Sequence, residues 1–250
     1  MSLVAVAAGV AVLSGAALQS AVGFGFALVC APLLYAALSP AEAIGLMIVL
    51  ALEVNLLTLL GERRRPAPSW PDVRAVVAWS LPGAIAGVAV LRSLDDVALQ
   101  LLVTAGVLLA LAVNLRAERR PAAQRPTSGA GRALAGVASG ALNTSTSTGG
   151  PPVVLLLRGR GMAPVTVRDT LLASFIGFTP VTALALVVTG TGEAIPPWWA
   201  IAVFVPLTAV GAVAGRRGFA NLAASRRRYE RALTAVLLAA VAAGLLSVLS

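Results

Sequence analysis

Two short stretches of this chain carry residues able to hold an anion without bearing a charge of their own. The first reads Gln19-Ser20-Ala21-Val22-Gly23-Phe24-Gly25-Phe26 and the second Asn143-Thr144-Ser145-Thr146-Ser147-Thr148-Gly149-Gly150-Pro151-Pro152. The second offers one side-chain amide and five hydroxyls in succession, all able to donate hydrogen bonds to oxyanion oxygens. Both interrupt a helix within apolar sequence. Glycine permits backbone angles that other residues resist, and proline suits the first turn of a restarting helix, whose N–H groups have no internal use. The bare N–H groups and positive dipole end of such a half-helix attract a negative ligand. Uncharged donors suit a carrier, because they bind a partly dehydrated anion without making its release slow. The candidate anion-binding residues are therefore Gln19, Ser20, Gly23, Phe24 and Gly25 with Asn143, Ser145, Thr146, Ser147, Thr148, Gly149 and Gly150. For one isolated Ser or Thr the plainer role is a bond to its own helix or to a neighbouring one. Six consecutive polar residues ending in Gly-Gly-Pro-Pro favour a site. Taken alone, Gly23 and Gly25 read equally well as packing notches, and Phe24 and Phe26 as core or lipid contacts.

The elements that position these residues belong to a membrane. A hydrophobic content of 58%, only 12% charged residues and a mean hydropathy of +0.91 lie far outside the soluble range. Six stretches are long enough for a bilayer core that takes about 20 apolar residues: 41–60, 73–91, 97–115, 170–188, 196–214 and 232–249. They leave two less regular regions, 3–38 and 133–157, each containing one polar break. Irregular backbone at membrane depth survives only where protein buries it or it lines a cavity.

The net charge of +9 invites a nucleic-acid reading, but the basic residues are all arginine and sit between apolar spans. If loop 61–72 faces the cytoplasm, alternation along the chain places every one of the 19 arginines except Arg92 inside or at the inner interface. That is the positive-inside asymmetry, and it leaves no exposed surface on which to read nucleic acid. The acidic Glu42, Asp95, Asp96 and Glu193 fall outside. The same alternation puts both chain termini outside. Histidine is absent and Cys30 is the single cysteine, which removes the commonest general base, the commonest metal ligand and any disulfide. No enzyme activity, metal or cofactor is expected, and no phosphate-binding Gly-X-X-X-X-Gly-Lys-Ser/Thr motif occurs. The N-terminus lacks the basic start of a cleaved signal, so its apolar stretch is expected to stay in the fold.

The chain also repeats itself. Ser14-Gly15 returns as Ser139-Gly140, Gly25 as Gly150, Pro40 as Pro164, Pro82 as Pro206, Gly87 as Gly211 and Arg92 as Arg216, always 124 or 125 residues later (150 − 25 = 125; 206 − 82 = 124). Three spans follow the irregular region in each copy, and three is odd, so the copies point opposite ways. Each irregular region then begins and ends on one side, as a re-entrant hairpin or a closely paired double span. The second copy favours the hairpin, since residues 151–157 cover only about 10 Å before Arg158; in the first copy both arms nearly cross. The fold class is thus all-α and polytopic, two inverted repeats with about eight to ten membrane helices. Residues 1–120 form the first repeat, 121–131 a cytoplasmic linker and 132–250 the second repeat. Secondary transporters built this way bind substrate where the copies meet.

Coupling requires a titratable group, and the candidates are few. Glu53 lies deep in the span 41–60, with Asn55 two residues on, and an ionisable residue at that depth is a functional hypothesis. It either carries a proton or pairs with Arg63 to Arg65 at the inner interface. Arg168 and Asp169 adjoin at the inner start of a span, where they either draw an anion into a vestibule or form an interfacial anchor with its counter-ion. Trp70, Trp79, Trp198 and Trp199 suit the interfaces, and Pro82, Pro180 and Pro206 suit kinks or hinges.

The segment Gly23-Phe24-Gly25-Phe26-Ala27-Leu28-Val29-Cys30-Ala31-Pro32-Leu33-Leu34 resembles the first signature of the TauE/SafE sulfite exporter family, also called TSUP. Gly149-Gly150-Pro151-Pro152-Val153-Val154, followed by Val167-Arg168-Asp169-Thr170-Leu171-Leu172, is similar to its second. The resemblance covers nearly the whole chain. It implies transport of small sulfur-containing or organic anions such as sulfite or organosulfonates, usually as export across the inner membrane, coupled to the proton gradient. In the commoner second motif small apolar residues precede Gly-Gly-Pro-Pro; here the hydroxyl-rich run stands in their place and leaves the substrate open. The partners expected are a small anion, the lipid bilayer and a second copy in a homodimer. A passive anion channel of the same fold, or an assembly factor without transport, are the alternatives.

Overall fold

The structure is a computed structural model that describes residues 3–62, 64–93, 128–157, 160, 162–189, 195–232, 234–235 and 238. The expected span 97–115, most of 232–249, residues Asp95, Asp96, Arg158 and Glu193, and the linker up to residue 127 lie outside the described residues. Among those described, all regular structure is helical: α1 Leu3–Val22, α2 Phe26–Ala37, α3 Pro40–Leu60, α4 Trp70–Ser93, α5 Gly129–Thr146, α6 Gly150–Leu157, α7 Pro164–Val188 and α8 Trp198–Ala223. Five of them, α1, α3, α4, α7 and α8, are long and apolar enough to cross a bilayer. This is a multi-pass membrane protein.

The repeated prolines have local reasons. Pro40 and Pro164 open α3 and α7 in the first turn, where no intrahelical N–H is lost, and Ser39 with Glu42 adds a reciprocal cap to α3. Pro82 and Pro206 lie within α4 and α8, which run on through them.

The irregular regions differ from expectation in α2, which is shorter than a nearly crossing arm, and in α5, which is longer than half of a re-entrant hairpin; α1 matches the nearly crossing arm expected of the first copy. α1 has 20 residues and α5 has 18, about 30 and 27 Å of helix, while α2 and α6 have 12 and 8. Only the second arms are short. The sequence of α5 hides its length because Gly, Ala and Ser fill it, and these residues serve close packing rather than hydropathy. A Cβ on Gly136 would lie 2.6 Å from Trp79 Cβ, and one on Gly140 2.2 Å from the Ser80 carbonyl oxygen. From the other side, Gly83 meets Val137 and Gly87 meets Ala141. α4 and α5 therefore touch backbone to backbone, and they run parallel.

The same close parallel contact joins α1 to α8, where Gly211 meets Leu13 and Ala17 and Gly215 meets Ala17 and Ser20. The two contacts are reciprocal. The fourth helix of the first half packs on the first helix of the second half, and the reverse. The two repeated arginines follow the same rule. Arg216 of α8 donates to the Leu57 carbonyl at the end of α3 at 2.7 Å, and Arg92 of α4 donates to the Thr189 carbonyl at the end of α7. Each supplies a cation to a helix C-terminus with unpaired carbonyls. Exposed Leu60, Leu81, Ile85, Val187, Val188, Val203 and the four tryptophans form the outer, lipid-facing surface.

Candidate functional site

α1 stops at Val22 because Gly23 and Gly25 take left-handed angles, φ 99° and 112°, that few other residues adopt. α5 stops at Thr146 with Ser147 at φ 57°, a strained setting for a residue with a side chain. Between the two breaks lies a cavity of about 40 Å³, room for roughly two or three waters. The first half contributes Gln19 of α1, Phe24 and Gly25 of the break, the first turn of α2 from Phe26 to Leu28, and Met47, Ile48, Ala51 and Asn55 of α3. The second half contributes Asn143 of α5, Ser147 and Thr148 of the break, Gly150 and Pro151 opening α6, and Phe175 and Thr179 of α7.

The two sides of the lining correspond. Gln19 and Asn143, Ala51 and Phe175, and Asn55 and Thr179 are each 124 residues apart, and Gly25 and Gly150, Phe26 and Pro151 are each 125 apart. Hydrogen bonds follow the pattern: Ser20 to Thr58 at 2.6 Å is matched by Thr144 to Thr182 at 3.5 Å, both partners displaced by 124. None of the residues lining the cavity is charged. Asn55 Nδ2 and Ser147 Oγ are buried beside it and have no hydrogen-bond partner among the described residues, an arrangement that buried donors rarely show without a ligand or water to meet them.

The family described as Sulfite exporter TauE/SafE matches residues 7–245. The chain belongs to the TauE/SafE family. No curated protein and no solved structure matches it.

In this TauE/SafE chain the hydroxyl-rich run divides. Asn143 faces the cavity with its edge while its Nδ2 donates to Thr182 at 2.8 Å, and Ser147 and Thr148 also line it. Ser145 donates back to the Ala141 carbonyl at 2.8 Å, which is the plainer role of a helical Ser. Thr146 ends α5; its side chain lies outside the described residues. Gly149 packs against the Ser139 carbonyl and the Asn143 side chain, a Cβ on Gly23 would lie 3.2 Å from Arg168 Cα, and neither glycine lines the cavity. Ser20 is occupied by Thr58 and the Ala212 carbonyl.

Of the charged candidates none reaches the cavity. Glu53 accepts a hydrogen bond from Thr208 of α8 at 2.5 Å and makes no described contact with Arg64 or Arg65. Asn55, two residues on and so about 200° around the helix, faces the cavity instead. Arg168 is fully buried, and it closes the broken end of α1. Its Nε donates to the Ser20 carbonyl at 2.7 Å, its Nη1 to Glu62, and its guanidinium lies 3.9 Å from the Phe219 ring centre. Beside it the Tyr229 hydroxyl donates to the Val22 carbonyl at 2.6 Å, so the last carbonyls of α1 are met from outside the helix. Asp169 accepts both Arg64 nitrogens, at 2.6 and 2.8 Å, and the Ala67 N–H at 2.8 Å. The Asp169 hydrogen bond holds the Arg64 guanidinium above its usual pKa, against the effect of its partial burial.

Thr179, Phe175 and Ala51 are lining residues that the sequence reading passed over. Thr179 had a signal: it is the repeat partner of Asn55. Glu62 and Arg64, partners of the Arg168-Asp169 pair, had none beyond their charge.

Proposed function

We propose that this chain is a secondary transporter of small sulfur-containing or organic oxyanions across the inner membrane, working by alternating access with the anion held between the two helix breaks. The observation that carries this is the cavity itself: a partly open space at the meeting of both halves, largely apolar in its walls, floored by the starts of α2 and α6 and edged by the uncharged polar side chains of Gln19, Asn55, Asn143, Ser147, Thr148 and Thr179. An anion there meets N–H and O–H dipoles in place of water, with no fixed cation to trap it. The binding residues in this reading are Gln19, Phe24, Gly25, Asn143, Ser147, Thr148 and Gly150, with Asn55 joining them from α3. Ser20, Gly23, Ser145, Thr146 and Gly149 shape the breaks.

The inverted arrangement of the two repeats, 1–120 and 132–250 about a linker 121–131, is supported by helix direction. α1 runs parallel to α3 through the bonds Gln19 to Asn55 and Ser20 to Thr58, and so ends beside Glu62. α5 begins there, where Arg132 meets Asp72 at 2.8 Å across the same short loop. One first helix ends where the other starts. With the arginine-rich loops inside, this reading leaves both termini outside.

Glu53 is the proposed coupling residue, a carboxylate at the α3–α8 contact with one described partner, the Thr208 hydroxyl. Arg168 and Asp169 enter the cycle as the closure beneath the first break. The test is uptake of labelled sulfite, thiosulfate, sulfonates and small carboxylates into proteoliposomes, with and without a proton gradient, for the wild type, Ser147→Ala and Thr148→Ala. Saturable, gradient-dependent uptake weakened by both substitutions is expected. Gradient-independent flux at channel rates would turn the assignment to a passive anion channel, and loss of cellular function without any flux to an assembly role.

A further inference from the structure

The polar atoms on the first-half side of the cavity form a directed chain. α2 starts at Phe26, whose N–H has no partner in its own helix and donates to Gln19 Oε1 at 3.0 Å. That bond fixes the amide. With Oε1 accepting from the backbone, Gln19 turns Nε2 toward α3 and donates to Asn55 Oδ1 at 2.7 Å. Asn55 must then present its own Nδ2 elsewhere, and that nitrogen, on a side chain with 0% exposure that lines the cavity, has no partner among the described residues. Turning either amide over would set N–H against N–H, so a backbone donor determines the direction of the whole chain.

We infer that Asn55 selects the substrate: its Nδ2 donates to an oxygen of a compact anion whose oxygens only accept hydrogen bonds, and the Phe26-Gln19 chain keeps that donor turned inward. This rests on the cavity being the transport site. Ser147 Oγ supplies the second unoccupied donor from the opposite break. The counterpart of Asn55 in the repeat is Thr179, which spends its hydroxyl proton on the Phe175 carbonyl at 3.1 Å. The two halves of the lining are thus equal in position and unequal in donating power, and the open amide donor lies on the first half.

A purely structural role makes a different prediction. If Asn55 serves only to hold Gln19, the atom that matters is Oδ1, and Asn55→Asp retains an acceptor there while removing only Nδ2. The experiment uses the full chain, purified, with sulfite as probe: binding by sulfite-dependent thermal stabilisation and exchange by counterflow in proteoliposomes. Asn55→Asp is expected to weaken sulfite binding on the order of 100-fold or more, because a donor is replaced by a like charge, and Asn55→Ala on the order of 10- to 100-fold. Asn55→Thr, which returns a hydroxyl, is expected to recover to within about 10-fold of the wild type. Should the buried carboxylate prevent folding, the Ala and Thr pair decides alone. Wild-type-like binding by Asn55→Ala, or by a folded Asn55→Asp, overturns the assignment while leaving the transport site standing. A wild type that neither binds nor exchanges sulfite or the other anions of the panel overturns the site and this assignment together.

Discussion

Adding one methyl group at Gly83 separates two effects that usually travel together. A Cβ there would lie 2.2 Å from the Val137 carbonyl oxygen and 2.9 Å from Val137 Cα. Ordinary contact begins near 3.4 Å, so α5 must retreat by about 1.2 Å (3.4 − 2.2). The obstacle is backbone and cannot rotate away. The retreat opens the contacts made by Gly87, Gly136 and Gly140 along the same pair, and a gap of 0.5–1 Å forfeits roughly a quarter to a half of each dispersion well. Overpacking of this kind costs about 1–3 kcal/mol, here toward the upper end, while Gly to Ala in a helix returns up to about 1 kcal/mol. The net expectation is a destabilisation of about 2 kcal/mol for Gly83→Ala. Gly218 of α8 provides the control, since a Cβ there meets nothing within 4 Å among the described residues; Gly218→Ala has only the propensity gain and should stabilise by up to about 1 kcal/mol. The assay is unfolding of the purified protein in one detergent, the two variants against wild type, with oligomeric state checked by gel filtration. Gly83→Ala as stable as Gly218→Ala would refute the claim that α4 and α5 are held at backbone contact.

Gly211→Ala, 2.4 Å from the Leu13 carbonyl oxygen, should cost a similar amount as Gly83→Ala, and the double variant should be additive within about 0.5 kcal/mol because the two contacts share no partners. Asp169→Asn removes the charge and one of the two oxygens that share three hydrogen bonds, setting an N–H against an Arg64 donor, and should destabilise by about 1–2 kcal/mol in the same assay, a figure kept low because Arg64 is about a third exposed. On the Arg64 side of this pair, a guanidinium pKa raised in the folded state gives stability that is complete below about pH 12 and lost only above it. Glu53→Gln should abolish the dependence of uptake on the proton gradient while leaving anion exchange intact. With no histidine in the chain, it should also flatten any change in rate between pH 5 and 8 for an anion that does not itself titrate there, such as thiosulfate or a sulfonate. A pH profile unchanged by that substitution would remove Glu53 from the coupling step.

What could be read in the sequence was whatever depends on neighbours along the chain. Gly23, Gly25 and Gly149-Gly150-Pro151-Pro152 mark the breaks because backbone angles and missing N–H groups are local properties, and α3, α4, α7 and α8 fall near the expected spans because apolar length is local too. The length of α5 was hidden, since its Gly and Ala residues acquire meaning only opposite Gly83 and Gly87. The service of Arg168 to the broken end of α1 was equally hidden, 148 residues from the carbonyl it meets. Asn55 was read beside Glu53 as a coupling residue because the two are close in sequence, yet the helix turns them to different neighbours, α1 and α8. Only the repeat carries long-range information in a single sequence, and it does so unevenly: it relates Arg92 to Arg216 and would have related Asn55 to Thr179.

The crossed pairing of α1 with α8 and of α4 with α5 has a consequence for ancestry. Neither half owns the surface on which its own outer helices rest. A protein of half this length could satisfy those glycine-lined faces only by borrowing them from a sister molecule, so a one-copy precursor would have lived as a pair of identical subunits. Joining two such genes end to end would have exchanged an association that depends on concentration for one that is guaranteed. Severing the chain within the linker 121–131 and expressing the two pieces together should return the molecule to that older condition, as two fragments that stay bound.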